Sequence, residues 1–327
     1  HAQATQLVLE YAPNPPFQSG SYLDADRTTV RAAKRILAAE AFDDLKIGDV
    51  LCHGRSLLRL AWGLTTVTAH RPYLGTMEIP VRDKSIQFDG REVRYGIRGE
   101  GPPMVIVHGT PWSSFNLRHL IEGLSADFRV HYFDLLGYGV SDKSWGDVSL
   151  GIQNKVLAAL LDHWAISKPV IVGHDFGGAT ALRTHLLNGR EFDRLVLIDA
   201  VAVSPWGSSF FRHVKEHEDA FAGLPDYLQE VLVRRYVQSA AHQPLSDYML
   251  DHTVAPWLGP DGKPALYRQM AQADQRYTDE VEPRYGEIDM PVLVLWGEED
   301  TWIPIEQGRK LADAIPGARF VSIPDAG

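Results

Sequence analysis

The stretch Val170-Ile171-Val172-Gly173-His174-Asp175-Phe176-Gly177-Gly178 decides the fold of this chain. Its first three residues are β-branched and predict a buried strand, and the residues from Ala179 to Leu187 continue with a helical pattern. Gly173 and Gly177 flank Asp175 at the spacing of a tight strand-to-helix turn, where small residues let the helix approach the strand. The sequence therefore predicts a sharp turn with an aspartate at its tip.

Short apolar segments on both sides of this turn alternate with helical patterns. The strand candidates are Met104–Val107, Val130–Phe133, Val170–Val172, Leu195–Ile198, Val292–Leu295 and Phe320–Ile323. Helical patterns separate most of them, as at Leu150–His163 and Glu306–Ile315. Upstream, Asp89-Gly90 joins the strand candidates Ser85–Phe88 and Val93–Ile97, and this dipeptide is typical of a hairpin turn. The alternation predicts an α/β fold with a mostly parallel central sheet that carries helices on both faces.

Residues 204–288 interrupt this alternation with a long stretch of helical character that is rich in aromatic side chains. A stretch of this length is too long for a loop, so we expect a helical cap inserted after the sixth strand. It leaves the sheet at the carboxyl end of a strand, where open α/β sheets place their ligands. We therefore divide the chain into an amino-terminal extension (1–76), a core (77–203 and 289–327) and a cap (204–288).

The composition excludes several classes of function. The 327 residues carry a formal net charge of -10, which argues against a nucleic-acid surface because such a surface needs clustered excess base. No apolar run reaches the roughly 18 residues that a membrane span requires. Cys52 is the only cysteine, which fits a reducing compartment, and we expect a cytoplasmic location. The residue His1 indicates a cut or processed start, and the sequence does not predict the oligomeric state.

An aspartate at the tip of such a turn indicates nucleophilic catalysis. A carboxylate attacks acyl carbon poorly, but it attacks an sp³ carbon that bears a leaving group well. The product is an alkyl–enzyme ester, which an activated water then hydrolyses. The alternative is a solvent-exposed turn without chemistry. The strand and helix around Asp175, together with the partners below, favour the catalytic interpretation.

The loop His108-Gly109-Thr110-Pro111-Trp112 follows the strand Met104–Val107 directly. A loop at this place can aim backbone N–H groups at the oxyanion that forms during ester hydrolysis. We expect the N–H groups of Thr110 and Phe176 to form this oxyanion hole. An ordinary strand-to-loop turn is the alternative, and His108 is expected to be a structural hydrogen-bonding group rather than a base.

A second acidic segment, Leu295-Trp296-Gly297-Glu298-Glu299-Asp300, lies just past another strand. An acid at this point can orient a catalytic histidine and stabilise its charged form. Asp300 is the predicted acid, and Glu298 and Glu299 are the alternatives, with simple surface charge as their other interpretation.

These motifs resemble the α/β-hydrolase superfamily, and within it the group of haloalkane dehalogenases and epoxide hydrolases. The resemblance covers residues 77–327 and includes the His-Gly-x-Pro turn, the segment Phe133–Asp142 and the aspartate-bearing elbow. It implies the α/β-hydrolase fold, water and a small apolar organic molecule as substrates, and no metal or cofactor. It also implies a catalytic histidine directly after Gly327, since the chain ends in Ile323-Pro324-Asp325-Ala326-Gly327.

Haloalkane dehalogenase-like chemistry is the first expectation from this resemblance. Members of that group hold the departing halide with N–H donors, often a Trp that follows the nucleophile. Here Phe176 stands at that position, and its side chain has no N–H to donate. Trp112, Trp206 or Trp257 is expected to supply the donor instead. We place Trp112 and Trp206 in the predicted site.

Epoxide hydrolysis is the alternative, because epoxide hydrolases polarise the ring oxygen with cap tyrosines. Tyr267-Arg268 resembles a Tyr-Arg pair of such caps, so Tyr267 joins the predicted site. Tyr227, Tyr236 and Tyr248 are candidates for a second donor, with cap packing as the other interpretation of each. Two further alternatives are a noncatalytic ligand receptor on this fold and an ester or lactone hydrolase.

The first residues carry a separate resemblance. Gln6–Ser21 is similar to the carboxyl-terminal tail of PfpI-type proteins such as isonitrile hydratases, and the similarity is assigned to residues 1–40. It implies a remnant or a fusion junction, because about seventy residues are too few for that whole domain. Cys52-His53-Gly54 faintly resembles the cysteine turn of the same family, and a buried cysteine is the expected interpretation.

Overall fold

The computed structural model describes residues 80–327. The predictions for the extension 1–76, including the tail-like residues 1–40 and Cys52, lie outside the described residues. None of the helices in residues 80–327 combines the length and the apolar character that crossing a bilayer requires.

Eight strands form one sheet within the described residues, in the order β1-β2-β4-β3-β5-β6-β7-β8. The strands are β1 (Lys84–Phe88), β2 (Arg91–Arg98), β3 (Pro103–Val107), β4 (Arg129–Phe133), β5 (Val170–His174), β6 (Arg194–Ile198), β7 (Val292–Gly297) and β8 (Arg319–Ile323). β1 pairs antiparallel with β2 and β2 with β4, and every other neighbouring pair is parallel. The prediction of a mostly parallel sheet is therefore confirmed.

The hairpin between β1 and β2 turns at the predicted dipeptide. Asp89 and Gly90 have φ angles of 51° and 73°, and Phe88 pairs with Arg91 across the turn. Two consecutive positive φ angles are what a two-residue type I′ turn requires, and Asp-Gly tolerates them well.

Ten α-helices lie in the described residues. They are α1 (Arg118–Leu124), α2 (Leu150–His163), α3 (Phe176–Asn188), α4 (Ser209–Glu216), α5 (Glu218–Ala222), α6 (Asp226–Gln238), α7 (Asp247–Val254), α8 (Gly259–Ala271), α9 (Arg276–Asp279) and α10 (Ile305–Ala314). α2 begins and ends as predicted. α3 starts earlier than the predicted Ala179, because its first turn follows the elbow directly.

The core has two layers, one on each face of the sheet. Met104 and Ile106 pack with Leu120 of α1, whereas Val105 and Val107 pack with Leu157 of α2. Successive residues of a strand point to opposite faces, so each five-residue apolar strand supplies both layers. This explains why the strands are continuously apolar, and it confirms the prediction of helices on both faces.

Between β6 and β7, residues 199–291 form the six helices α4 to α9 and two 3-10 helices, Ala255–Trp257 and Glu282–Glu287. The buried indole of Trp257 donates a hydrogen bond to the carbonyl oxygen of Pro111 at 2.7 Å. This bond ties the helical insertion to the loop after β3, so the insertion packs over the carboxyl end of the sheet.

Candidate functional site

Asp175 lies in the strained turn between β5 and α3. Its φ and ψ angles are 52° and -118°, a combination that L-residues rarely adopt. Hydrogen bonds hold the turn on both sides: the Asp175 N–H donates to Ile198 O at 3.1 Å, and the Gly178 N–H donates to Asp175 O at 2.9 Å. Such strain persists where the surrounding structure fixes the backbone, and it is common at functional sites.

Glycine is required at two places around this turn. A Cβ atom on Gly177 would lie 2.1 Å from the carbonyl oxygen of Val107, so α3 packs directly on the end of β3. A Cβ atom on Gly109 would lie 2.2 Å from Oδ1 of Asp175. The loop after β3 is therefore in van der Waals contact with the Asp175 carboxylate.

The predicted oxyanion donors both reach this carboxylate. The backbone N–H of Thr110 donates to Asp175 Oδ1 at 2.7 Å in a buried hydrogen bond. The backbone N–H of Phe176 also bonds the carboxylate and favours its ionised form. The Thr110 N–H holds Oδ1 in a fixed position, and both donors stabilise negative charge on the carboxylate.

The electrostatic environment of Asp175 is set mainly by burial. The residue is 7% exposed, and this burial raises the pKa of its carboxyl group to about 7. The N–H groups of Thr110 and Phe176 oppose this rise, whereas the negative charges of Asp300 and Asp199 add to it. The carboxylate is therefore ionised, and competent for attack, mainly above about pH 7.

Asp199 is a third acid, half-buried, that the sequence interpretation did not include. It follows β6 directly, has a φ angle of 42°, and accepts a hydrogen bond on Oδ1 from the Gly297 N–H at 2.8 Å. Burial and then the charge of Asp300 raise its pKa to about 7. The signal was present, because an acid just past an apolar strand is the pattern that identified Asp300.

Asp300 differs from its two glutamate neighbours in solvent exposure. Glu298 and Glu299 are exposed, whereas Asp300 is half-buried, and burial raises the pKa of its carboxyl group. Its Oδ1 accepts hydrogen bonds from the N–H groups of Trp302 at 2.8 Å and Ile303 at 2.9 Å. Gly327 packs on the same loop, since a Cβ atom there would lie 2.6 Å from the Asp300 nitrogen.

Tyr236 of α6 presents a hydroxyl group from the cap side. The hydroxyl oxygen is buried and has no hydrogen-bond partner within residues 80–327. Burial raises the Tyr236 pKa well above its usual value, and the charge of Asp175 raises it further. The ring stacks on Trp302 with a centroid separation of 4.7 Å. The Tyr236 hydroxyl is therefore a neutral donor without a partner in this part of the chain, and the charge of Asp175 acts on its pKa.

Gln269 of α8 links the cap to the loop that carries Thr110. Its Oε1 accepts hydrogen bonds from the Thr110 hydroxyl at 2.9 Å and from the Tyr138 hydroxyl at 2.8 Å. Its amide nitrogen is buried without a partner within residues 80–327. Gln269 thus fixes the loop that carries Thr110. Its amide N–H group is a second unused donor, besides the Tyr236 hydroxyl.

This geometry agrees with a family match. Residues 104–327 match the alpha/beta hydrolase family. The chain belongs to this family. The fold class predicted from the sequence is therefore confirmed, and the protein is a hydrolase.

Solved and curated relatives of this alpha/beta hydrolase support the assignment. The crystal structure of an alpha/beta hydrolase fold protein from Burkholderia ambifaria is 48% identical with a TM-score of 0.75, and the match covers 77% of this chain and 93% of that one. A 2-hydroxy-6-oxononadienedioate/2-hydroxy-6-oxononatrienedioate hydrolase from Paraburkholderia xenovorans is 29% identical over 242 residues, 70% of this chain and 81% of the relative.

A third relative, the 2-hydroxy-6-oxo-6-phenylhexa-2,4-dienoate hydrolase of Comamonas testosteroni, is 26% identical over 247 residues, 70% of this chain and 82% of the relative. None of these three names is that of a haloalkane dehalogenase or an epoxide hydrolase. The superfamily is therefore shown, and the narrower placement with an aspartate nucleophile remains a proposal.

Several other predicted residues of this hydrolase have their polar groups engaged elsewhere. The Trp206 indole donates to the Thr278 hydroxyl at 2.7 Å, and the Tyr267 hydroxyl donates to Gln229 Oε1. The structure therefore does not bring these two donors to Asp175. Trp112 is half-buried and packs against the core.

The other cap residues that were considered for epoxide hydrolysis differ in their contacts and exposure. Arg268 donates to the carbonyl oxygens of Lys143 and Ser144, and thus fixes a loop. Tyr227 and Tyr248 are 72% and 45% exposed, in contrast to the buried hydroxyl of Tyr236.

His108 has its two ring nitrogens engaged. Its Nε2 accepts a hydrogen bond from the Leu135 N–H at 2.9 Å, and its Nδ1 lies 2.8 Å from the carbonyl oxygen of Gly109. Burial lowers its pKa, so the ring is neutral. These contacts agree with the expected structural role, and they hold the loop that carries Thr110.

A cleft of about 550 Å³ opens in the helical insertion. Trp206 lines it together with charged residues that include Arg212 and Asp274. The Trp206 ring also lies edge-on to Phe176, the residue after Asp175, with a centroid separation of 5.7 Å. The cleft is therefore separated from Phe176 by the Trp206 ring. The predicted apolar character of the substrate is not established by this mixed lining.

Proposed function

We propose that this hydrolase opens a small epoxide through a covalent ester on Asp175. The observation that carries the proposal is the pairing of a buried elbow carboxylate with an unused hydroxyl group: Thr110 N–H holds one oxygen of Asp175, and the hydroxyl of Tyr236 is buried without a partner. A carboxylate suits attack at sp³ carbon, and a phenol suits the oxygen that leaves.

In the first step, the free oxygen of Asp175 attacks a ring carbon while the carbon–oxygen bond of the epoxide breaks. The electron pair of that bond moves to the ring oxygen, which takes its proton from the Tyr236 hydroxyl. The raised pKa of Tyr236 keeps the phenol protonated until this step. The product is a hydroxyalkyl ester of Asp175.

In the second step, water attacks the carbonyl carbon of this ester. The oxygen held by the Thr110 N–H group becomes the oxyanion, with the Phe176 N–H as a further donor to the same carboxyl group, so donors placed on the resting carboxylate also stabilise the intermediate. Cleavage of the acyl carbon–oxygen bond releases the diol and restores Asp175. One proton of the water passes to the departing alkoxide oxygen, and the other restores the Tyr236 hydroxyl. The incoming oxygen atom stays in the carboxylate.

The water needs a base, and Asp300 is proposed to orient it. Because Gly327 packs against the Asp300 loop, a residue that follows Gly327 begins beside Asp300. We propose that a histidine at this place activates the water. A protein that carries a histidine after Gly327 is expected to hydrolyse the ester faster than one that ends at Gly327, with the same rate of ester formation.

Haloalkane dehalogenation is the second candidate, since it forms the same kind of ester. The unpartnered amide nitrogen of Gln269 favours it, because a departing halide needs an N–H donor. The indole groups of Trp206 and Trp257 already donate to Thr278 and Pro111. With these donors occupied, the site supports the epoxide better.

The test is intact-protein mass spectrometry after incubation with styrene oxide or with 1,2-dibromoethane. We expect a single adduct on Asp175 that Asp175→Asn abolishes and that Asp313→Asn, a change of an exposed acid on α10, leaves intact. Asparagine suits position 175 because it tolerates positive φ angles better than most residues. Turnover in ¹⁸O-labelled water is expected to place the label in Asp175 first.

The two substrates and a ligand-binding control distinguish the candidates. An adduct with 1,2-dibromoethane alone would favour dehalogenation. Tight binding of an unmodified substrate would favour a receptor, and label that enters the diol without entering Asp175 would exclude the ester mechanism.

A further inference from the structure

Three side chains with metal-ligating atoms converge on the cap, outside the site described above. They are His213, Glu216 and His217, whose donor atoms all lie within 4.8 Å of one another. All three side chains are exposed, so a metal ion from solution reaches them directly.

The backbone brings these groups together. His213 and Glu216 lie in the last turn of α4, three residues apart, and His217 follows as the residue that joins α4 to α5. Positions three and four residues apart occupy one face of a helix. Val214 is the buried residue of α4, so the helix is anchored by its apolar side while the three ligating groups face solvent.

The surroundings favour a cation at this place. Lys215 is directed to Asp274 in an ion pair of 2.7 Å, and Arg212 donates to the Gly207 carbonyl oxygen. Glu218 and Asp219 follow the cluster and add negative charge. The His213 ring packs against both His217 and Phe221, at centroid separations of 4.7 and 5.6 Å, which restricts its orientation.

We propose that His213, Glu216 and His217 bind one zinc ion, with water as the remaining ligand. Two imidazole nitrogens and a carboxylate oxygen form a donor set that zinc favours. Ligands on tetrahedral zinc at about 2.0–2.1 Å lie roughly 3.3 Å apart, so the donor atoms need only small side-chain rotations. The ion would fasten the last turn of α4 to the start of α5.

The test is zinc titration by calorimetry on the full chain, purified without a histidine tag. The wild-type protein is expected to bind one more zinc ion than the variant His213→Ala/His217→Ala. Each single substitution is expected to weaken binding by about tenfold or more, since loss of even a supporting partner costs 10- to 100-fold. His242→Ala, which removes another exposed histidine of the cap, is the matched control.

Cobalt and thermal unfolding provide independent readouts. Cobalt bound by this cluster is expected to show ligand-field absorption without a sulfur charge-transfer band, which separates it from any site that uses Cys52. Zinc is also expected to raise the melting temperature of the wild type more than that of the double variant, because a ligand of the folded state stabilises it. Equal zinc stoichiometry, affinity and thermal shift in the two proteins would overturn the proposal.

Discussion

The candidate site has two sides, which we call the floor and the ceiling, and their residues are positioned in different ways. The floor consists of Asp175, Asp199 and Asp300, each placed within three residues of the carboxyl end of a parallel strand of the sheet. The ceiling consists of Tyr236 and Gln269, each placed by the packing of a cap helix. Strand ends fix the position of a side chain through the backbone, whereas the cap fixes it through contacts between side chains.

This difference divides the chemistry between the two regions. The floor carries the acids, and burial raises the pKa of both Asp175 and Asp199 to about 7. The ceiling carries neutral donors without partners in the described residues. We therefore expect changes in the floor to affect ester formation with every substrate alike, and changes in the ceiling to alter the choice of substrate.

The substitution Gly109→Ala is expected to disturb the floor most, without removing any of its acids. Its Cβ atom would lie 2.2 Å from Asp175 Oδ1, so it displaces the carboxylate from the Thr110 N–H. We expect the rate of ester formation to fall by about a hundredfold or more with epoxides and haloalkanes alike, because a nucleophile misplaced by about 1 Å loses roughly that factor. Stopped-flow and mass-spectrometric measurement of the adduct checks this.

Gly286→Ala is the matched control, because nothing lies within 4 Å of a Cβ atom at that position. It is expected to keep the wild-type rate. A Gly109→Ala protein with a normal rate and a normal circular dichroism spectrum would show that the loop after β3 does not position the nucleophile.

The ceiling is probed by Tyr236→Phe, which removes the unpartnered hydroxyl and retains the ring that stacks on Trp302. Ester formation from styrene oxide is expected to fall by about a hundredfold, the usual contribution of a positioned acid. Ester formation from 1,2-dibromoethane is expected to stay unchanged, since a halide leaves without a proton. Rapid-quench measurement of both adducts checks the difference.

Tyr227→Phe serves as the control, because that side chain is 72% exposed and α6 carries both tyrosines. An equal loss with both substrates after Tyr236→Phe would mean that the hydroxyl supports the fold of the cap. The assignment of the leaving-group donor would then be wrong.

The sequence predicted the floor better than the ceiling, for a physical reason. The elbow pattern around Asp175 and the acid after β7 are local, since a strand, a turn and a glycine spacing determine them. Thr110 was placed in the same way, by the loop that follows β3. Asp199 follows the same local pattern, since it is the residue directly after β6.

The ceiling depends on contacts between distant segments. The pair Tyr267-Arg268 favoured Tyr267 over Tyr236 in the sequence, but the Tyr267 hydroxyl donates to Gln229, 38 residues away in the chain. The Trp206 indole is likewise taken by Thr278, 72 residues away. No local pattern states which donor remains free, so the choice among the cap residues required the structure.

The smallest expected effect concerns the coupling of acids within the floor. Asp199→Asn removes one negative charge and retains an oxygen that accepts the Gly297 N–H bond. Because the charge of Asp199 contributes to the raised pKa of Asp175, the midpoint of ester formation against pH is expected to move below about 7, by roughly one unit or less. Single-turnover rates between pH 5 and 9 measure this shift.

Stability gives an independent check with a defined sign. A carboxyl group whose pKa rises from 3.8 to about 7 on folding binds its proton more tightly in the folded state. Its contribution to the free energy of unfolding is therefore complete below pH 3.8 and is lost as the pH rises through about 7. Asp199→Asn is expected to reduce the loss of stability between pH 4 and 8, whereas Asp313→Asn leaves it unchanged. If Asp199→Asn alters neither the rate profile nor the denaturant midpoint, the acids of the floor are electrostatically independent.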